Sequence, residues 1–153
     1  MEMNNYTLII ADSNHIDTIA QFQVDMAWET ESYKLDLSTV KRGVKHIIDN
    51  QNLGRYVLVM DGDTCIASML NLYEWSDWRC GNVLWIHSLY VIETYRRKGL
   101  FRMMYNHVKE EVDNADDLMG LRLYVEKDNK RAQDTYKAMG MTKEHYDMYE
   151  WLK

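Results

Sequence analysis

Asp61-Gly62-Asp63 lies between two apolar runs, Arg55–Met60 (RYVLVM) and Thr64–Tyr73 (TCIASMLNLY), and no other feature restricts the fold as much. Asp-Gly supplies the left-handed backbone of a tight hairpin turn, so the two runs should pair as antiparallel strands. A third run, Val83–Val91 (VLWIHSLYV), follows after a short gap. Strands this apolar need cover on both faces.

Helical patterns on either side supply it. After Ser13, read as an N-cap, Ile16, Ile19, Ala20, Val24 and Ala27 recur at helical spacing. Ser38 is read as the cap of a second helix, with Val40, Val44, Ile47 and Ile48 on one stripe. A third helix runs from Gly99 to about Val112 on Leu100, Met104, Val108 and Val112. A fourth, Asn129–Met139, carries Ala132, Tyr136 and Met139 on one face and stops at Gly140. Tyr6–Ala11 and Leu121–Glu126 (LRLYVE) read as further strands, and Thr142–Leu152 as a weak terminal strand or strand pair. The expected order is β-α-α-β-β-β-α-β-α-β, an α/β fold whose mixed sheet carries helices on both faces.

With 153 residues, no proline and no low-complexity tract, residues 1–153 are expected to form a single domain. No apolar run is long enough for a membrane span, and Met1–Ile10 lacks the basic start of a secretory leader. The two cysteines, Cys65 and Cys80, form no disulfide framework, so a reducing cytoplasm is the expected location. No His or Cys pair has metal-ligand spacing, and no metal is expected. The net charge of −6 argues against a nucleic-acid partner. That charge is uneven: residues 1–80 hold 12 acids against 6 Lys and Arg, whereas residues 81–153 hold 12 of each.

The densest basic cluster is Arg96, Arg97, Lys98 and Arg102, in a turn between the strand ending Leu89-Tyr90-Val91 and the helix beginning at Gly99. Cations at a helix N-terminus oppose the helix dipole, whereas an anion there is stabilised by the dipole and by unpaired N–H groups. Gly99 would let the backbone approach that anion without a Cβ between them. The pattern points to a phosphate-bearing ligand, but it has neither the Walker spacing nor the glycines of a dinucleotide fingerprint.

This stretch resembles the acetyl-CoA pyrophosphate loop, Arg/Gln-x-x-Gly-x-Gly/Ala, of the GCN5-related N-acetyltransferases (GNAT). A second segment agrees with it. Asn129-x-x-Ala132-x-x-x-Tyr136-x-x-x-Gly140-Met141 is similar to the family's Asn-x-x-Ala-x-x-x-Tyr/Phe-x-x-x-Gly-Phe. The motifs cover about residues 83–141, and Phe101 departs from them where Gly or Ala is usual. The resemblance implies a GNAT-like acyl-CoA N-acyltransferase fold and acetyl-CoA as co-substrate. It implies that the backbone of Leu89, Tyr90 and Val91 pairs with the pantetheine arm. It further implies that Arg96, Arg97, Lys98, Gly99, Leu100, Phe101 and Arg102 hold the pyrophosphate, with Asn129 and Ala132 at the arm. The resemblance also implies that Tyr136 acts as the acid toward the departing thiolate, and a homodimer is a family-level expectation.

An amine must lose a proton to attack a thioester, so a base is needed. His87 interrupts an apolar strand, with Trp85, Leu89 and Val91 expected on its face. Trp-Ile-His-Ser-Leu-Tyr-Val resembles the arylalkylamine N-acetyltransferase strand whose histidine is the base; a structural histidine is the other reading. Glu74 is the second choice of base. For a cationic acceptor, Glu29 and Glu31 at the end of the first helix are candidates. Trp75, Asp77 and Trp78, read with Glu74 as a loop, could form a cation–π and ion-pair pocket or simply cover a sheet end. The expected activity is acetyl transfer from acetyl-CoA to a primary amine, small molecule or peptide. The alternatives are a silent acyl-CoA-binding module of the same fold and an acyltransferase using another acyl group.

Overall fold

The computed structural model describes residues 5–153; Met1–Asn4, the start of the stretch read for a leader, lie outside it. The chain forms two compact units, one ending at Leu123 and the other spanning Tyr124–Lys153.

The first unit is a five-stranded sheet in the order β1-β2-β3-β4-β5. Its strands are β1 (Tyr6–Ile10), β2 (Gly54–Asp61), β3 (Thr64–Ser76), β4 (Gly81–Val91) and β5 (Leu118–Leu123). The first three pairings are antiparallel, and β4 with β5 is parallel, so the sheet is mixed as expected. The Asp61-Gly62 turn closes β2 onto β3 with Gly62 at φ 57°.

Helices α1 (Ile16–Glu31) and α2 (Leu37–Asp49) join β1 to β2. Ile19 and Ala20 of α1 and Val44 of α2 pack with Tyr56 and Leu58 of β2 in one buried cluster. That fixes one face of the sheet. The opposite face carries Arg55, Val57 and Val59. There Arg55 is held by Glu111 of α3 (Leu100–Asn114) in a two-pronged ion pair, one prong 2.9 Å long. The sheet is therefore sandwiched, α1 and α2 on one face and α3 on the other, with Leu100, Met104, Tyr105 and Val108 of α3 buried.

Several expected boundaries move. Asp12, not Ser13, caps the first helical stretch, which begins with a 3-10 turn, Ser13–His15. Its carboxylate accepts from the Asn14 N–H at 2.9 Å, while the His15 ring accepts from the Asp12 N–H. Asp36, not Ser38, caps α2, accepting from the Thr39 N–H at 2.8 Å and from its hydroxyl at 2.6 Å. A carboxylate at an N-cap gains from the dipole as well as from the hydrogen bond. β5 begins and ends three residues before the apolar run LRLYVE, because its parallel register with β4, Asn82↔Leu118 to Ile86↔Leu123, sets its limits.

In the second unit, α4 (Lys130–Ala138) is capped by Asn129, whose side-chain oxygen accepts from the Ala132 N–H at 3.1 Å. Buried Gln133 donates to the carbonyls of Glu126 and Lys127, tying the entry turn to the helix. Gly140, at φ 90°, ends the helix. The expected terminal strand is absent: Thr142–Leu152 joins no ladder and no helix. Strand propensity depends on packing and pairing context, so an aromatic-rich composition does not by itself make a strand.

Candidate active site

The antiparallel ladder places Leu70 opposite His87 but Ser68 opposite Tyr90, so β4 holds one residue more than β3 in this interval. Ser88, at φ 48°, marks this bulge. A bulge reverses the alternation of faces beyond it. Trp85, His87 and Tyr90 therefore share the face covered by α1 and α2, whereas Val91, opposite Ala67, lies on the other. The expectation that Leu89 and Val91 share the face of His87 is corrected on this ground. Period-2 counting carries no signal for an inserted residue.

Beyond the bulge β4 also loses its second neighbour. Its pairing with β5 ends at Ile86↔Leu123, and among the described residues no strand pairs with His87–Val91 on that side. Leu89, Tyr90 and Val91 thus offer an open strand edge, the geometry by which an extended amide-bearing ligand adds to a sheet.

That edge leads, through a 3-10 turn at Glu93–Tyr95, to α3. Gly99 caps α3 at φ 79° and no side chain caps its first turn. A Cβ built on Gly99 would meet nothing within 4 Å, so the backbone is approachable there. Arg97 also has positive φ, 64°. The Phe101 ring packs against Tyr105 one turn along α3, with centroids 5.9 Å apart. Its backbone position in the first turn is thereby kept while the ring lies against the helix. The basic side chains are not equivalent. Lys98 stands 4.7 Å from the centre of the Tyr95 ring. Arg96 turns back toward β4, donating to the Val91 carbonyl at 2.9 Å and pairing with Glu29 at 2.5 Å.

Glu29 accepts a second bond, from the Tyr90 hydroxyl at 3.1 Å, and the Arg96 guanidinium lies 5.6 Å from the Tyr90 ring centre. The end of α1, the end of β4 and the basic turn are thereby clamped together. Glu29, expected at the acceptor, is a member of this clamp. Glu31, at the last turn of α1, is exposed. The clamp was not legible in the sequence, since its members are 61 and 67 residues apart.

His87 is half-buried and stacks on Trp85, with ring centres 5.4 Å apart and planes 12° from parallel. Burial pushes its imidazole pKa below the usual 6.5. At neutral pH the ring is uncharged and able to accept a proton. Glu74 pairs with Arg122 of β5 at 2.7 Å. The ladder puts Glu74, opposite Val83, and Arg122, beside Trp85, on the face of His87.

The expected indole–carboxylate loop is rearranged. Glu74, Trp75 and Ser76 belong to β3, so Glu74 and Trp75 point to opposite faces. Asp77 accepts from the Trp78 N–H at 2.9 Å, and both tryptophans are exposed. Strand alternation thus separates Glu74 from Trp75, while Asp77 and Trp78 lie in the turn that follows β3.

In the second unit, Tyr136 on α4 is half-buried, and burial raises its phenol pKa above 10. Asn129 and Ala132 form the α4 cap described above. Cys65 is half-buried with its thiol pushed up to about 11, whereas Cys80 is exposed. No group of three or more His, Cys, Asp or Glu residues suited to a metal occurs among the described residues. No helix among them is long and apolar enough to cross a membrane.

The model of the acetyltransferase (GNAT) family matches residues 15–141. The chain belongs to this family. It is an acyltransferase of GNAT type, with the mixed α/β sheet of that fold. A possible acetyltransferase from Clostridium difficile 630 is 40% identical over 97% of both chains, with a TM-score of 0.90. A predicted acetyltransferase with acetyl-CoA from Clostridium acetobutylicum is 17% identical over 97% of this chain and 94% of that one, TM-score 0.71. AAC(6')-Iy in complex with a bisubstrate analogue, CoA-S-monomethyl-acetylneamine, is 11% identical over 97% and 99%, TM-score 0.74. These last two share the fold. A search of curated proteins found no significant match.

Proposed function

We propose that this GNAT acyltransferase moves an acetyl group from acetyl-CoA to a primary amine by direct attack. The observation that carries the reading is the bulged end of β4. One stretch of chain presents His87 on the face under α1 and α2, offers the open edge Leu89–Val91, and leads into the uncapped N-terminus of α3 at Gly99. The open edge suits the amides of a pantetheine arm, and Gly99, Leu100, Phe101 and Arg102 would supply first-turn backbone to the pyrophosphate. Arg97, Lys98 and Arg102 would add positive charge. Arg96 would act through its bond to the Val91 carbonyl, holding the edge in place. The family resemblance supports Asn129 and Ala132 as contacts of the same arm.

In the reaction the amine nitrogen bonds to the thioester carbonyl carbon, its proton passes to His87, and the carbon–sulfur bond breaks to release the CoA thiolate. A neutral His87 suits the first transfer. Tyr136, by resemblance, serves the thiolate. With its pKa raised, full proton transfer to a thiolate of pKa about 8.5 is uphill, so its contribution is a hydrogen bond that stabilises the leaving sulfur. The acidic first half of the chain suits a cationic acceptor. On the same face the half-exposed Glu74–Arg122 pair is an ion-pair element beside Trp85 rather than a second base.

The test is incubation with acetyl-CoA and a panel of monoamines, polyamines, amino acids and peptides. The expected result is a product heavier by one acetyl group with release of free CoA. Acetyl-CoA binding with no acetylated amine across the panel would overturn the reading.

A further inference from the structure

The turn between β4 and α3 is fastened to β2 through one side chain. Tyr95, half-buried at the end of the 3-10 turn Glu93–Tyr95, donates its hydroxyl to the Asp61 carboxylate at 2.9 Å. Asp61 ends β2 and is paired on both sides, with Tyr6 of β1 and Thr64 of β3, so the sheet fixes its position. The Tyr6 ring meets the Tyr95 ring edge-on, with centres 6.1 Å apart and planes at 68°. An edge-to-face pair adds to the hydrogen bond and sets the orientation of the ring. On that ring stands the Lys98 ammonium, 4.7 Å from its centre. Lys98 is the residue before Gly99, the cap of α3.

Arg96 and Lys98 are both held, with opposite consequences for charge. Glu29 neutralises Arg96. A tyrosine ring attracts an ammonium through its quadrupole and leaves the positive charge in place for an anion. Lysine is among the side chains that lose most rotamer freedom when fixed, so one already held before a ligand arrives loses less on binding. We infer that Tyr95 is a positioning residue for the donor: anchored on Asp61 and Tyr6, it holds the Lys98 ammonium, charge intact, beside the start of α3 for the pyrophosphate of acetyl-CoA. The inference rests on the donor site proposed above and adds how one of its cations is set in place. Tyr95 acts through Lys98 and needs no contact of its own with the donor.

Calorimetric titration with acetyl-CoA of wild type, Tyr95→Leu, Lys98→Met and the double variant tests it. Tyr95→Leu should weaken binding about two- to fivefold, the scale of a cation–π contact at an exposed site. Lys98→Met should weaken it at least as much. In the Lys98→Met background the Tyr95 change should add nothing, because a residue acting through Lys98 then has nothing to hold. A merely structural tyrosine would weaken binding by the same factor in both backgrounds, and that result overturns the inference, as does unchanged binding by Tyr95→Leu. Far-ultraviolet dichroism checks that each variant is folded. Should Tyr95→Leu not fold, Tyr95→Phe, which keeps the ring and loses the Asp61 anchor, is judged by the same two criteria. A wild type that fails to bind acetyl-CoA overturns the donor reading together with this one, whereas a wild type that binds with Tyr95 and Lys98 uncoupled overturns this one alone.

Discussion

Replacing His87 by glutamine keeps a planar, polar side chain of similar length and removes the base. The structural cost is bounded by what His87 touches. Its stacking on Trp85 at 5.4 Å contributes about 0.5–1.5 kcal/mol, part of which glutamine retains. The catalytic cost is larger. Losing a general base slows reaction by about 10²–10⁴-fold, roughly 3–5 kcal/mol of barrier. The variant should therefore stay folded while kcat falls at least about a hundredfold. The pH profile gives a second readout. Burial holds the imidazole below 6.5, so kcat/KM in the wild type should rise with pH along a limb lying below 6.5 and be level at neutral pH. The same shift is linked to stability. Because the folded pKa lies under the unfolded one, the neutral ring's contribution is complete above 6.5 and is lost as pH falls through the folded value. The assay is the initial rate of CoA release with the best amine of the panel, for both proteins, from acid to alkaline pH. An acceptor's own ionisation adds a limb common to both proteins, so only the limb missing from the variant belongs to His87. A variant within threefold of wild type, with the same acid limb, would refute the reasoning.

Three further outcomes follow from the same geometry. Gly54→Ala should abolish stable folding, since its Cβ would stand 2.2 Å from the Asn71 carbonyl oxygen, whereas Gly99→Ala meets open space and should cost only the roughly 1–2 kcal/mol of left-handed strain, as thermal denaturation will show. In thiol alkylation near neutral pH, exposed Cys80 should react quickly and Cys65, pushed up to about 11, should react only on unfolding; two fast thiols would contradict the burial of Cys65. Tyr90→Phe keeps the packing on Phe22 and removes the hydroxyl bond to Glu29, so denaturant titration should find a loss of about 1–3 kcal/mol, as for a hydrogen bond to a charged group.

Much of this molecule could be read from local pattern. The Asp61-Gly62 turn fixed the central hairpin, and the stripes of Ile19, Ala20 and Val44 are those that pack beneath the sheet. Gly99 before an apolar helix marked a turn whose left-handed backbone the structure shows. What escaped reading depends on contacts between distant segments. The limits of β5 come from its register with β4, and the bulge at Ser88 comes from pairing with β3. The clamp of Glu29, Tyr90 and Arg96 joins three elements. Local sequence said that Glu74 and Trp75 are neighbours, and a strand sends neighbours to opposite faces. The terminal segment, expected as a weak strand, joins no ladder among the described residues, and composition alone does not report pairing.

The central claim is that acetyl-CoA is held along the end of β4 and the start of α3. A calorimetric titration with acetyl-CoA, on wild type and on Gly99→Glu, tests it most directly. The account predicts saturable one-to-one binding that the glutamate abolishes, because its side chain and charge would stand where the pyrophosphate meets the helix N-terminus. Absence of binding in the wild type, or equal binding by the variant, would contradict it.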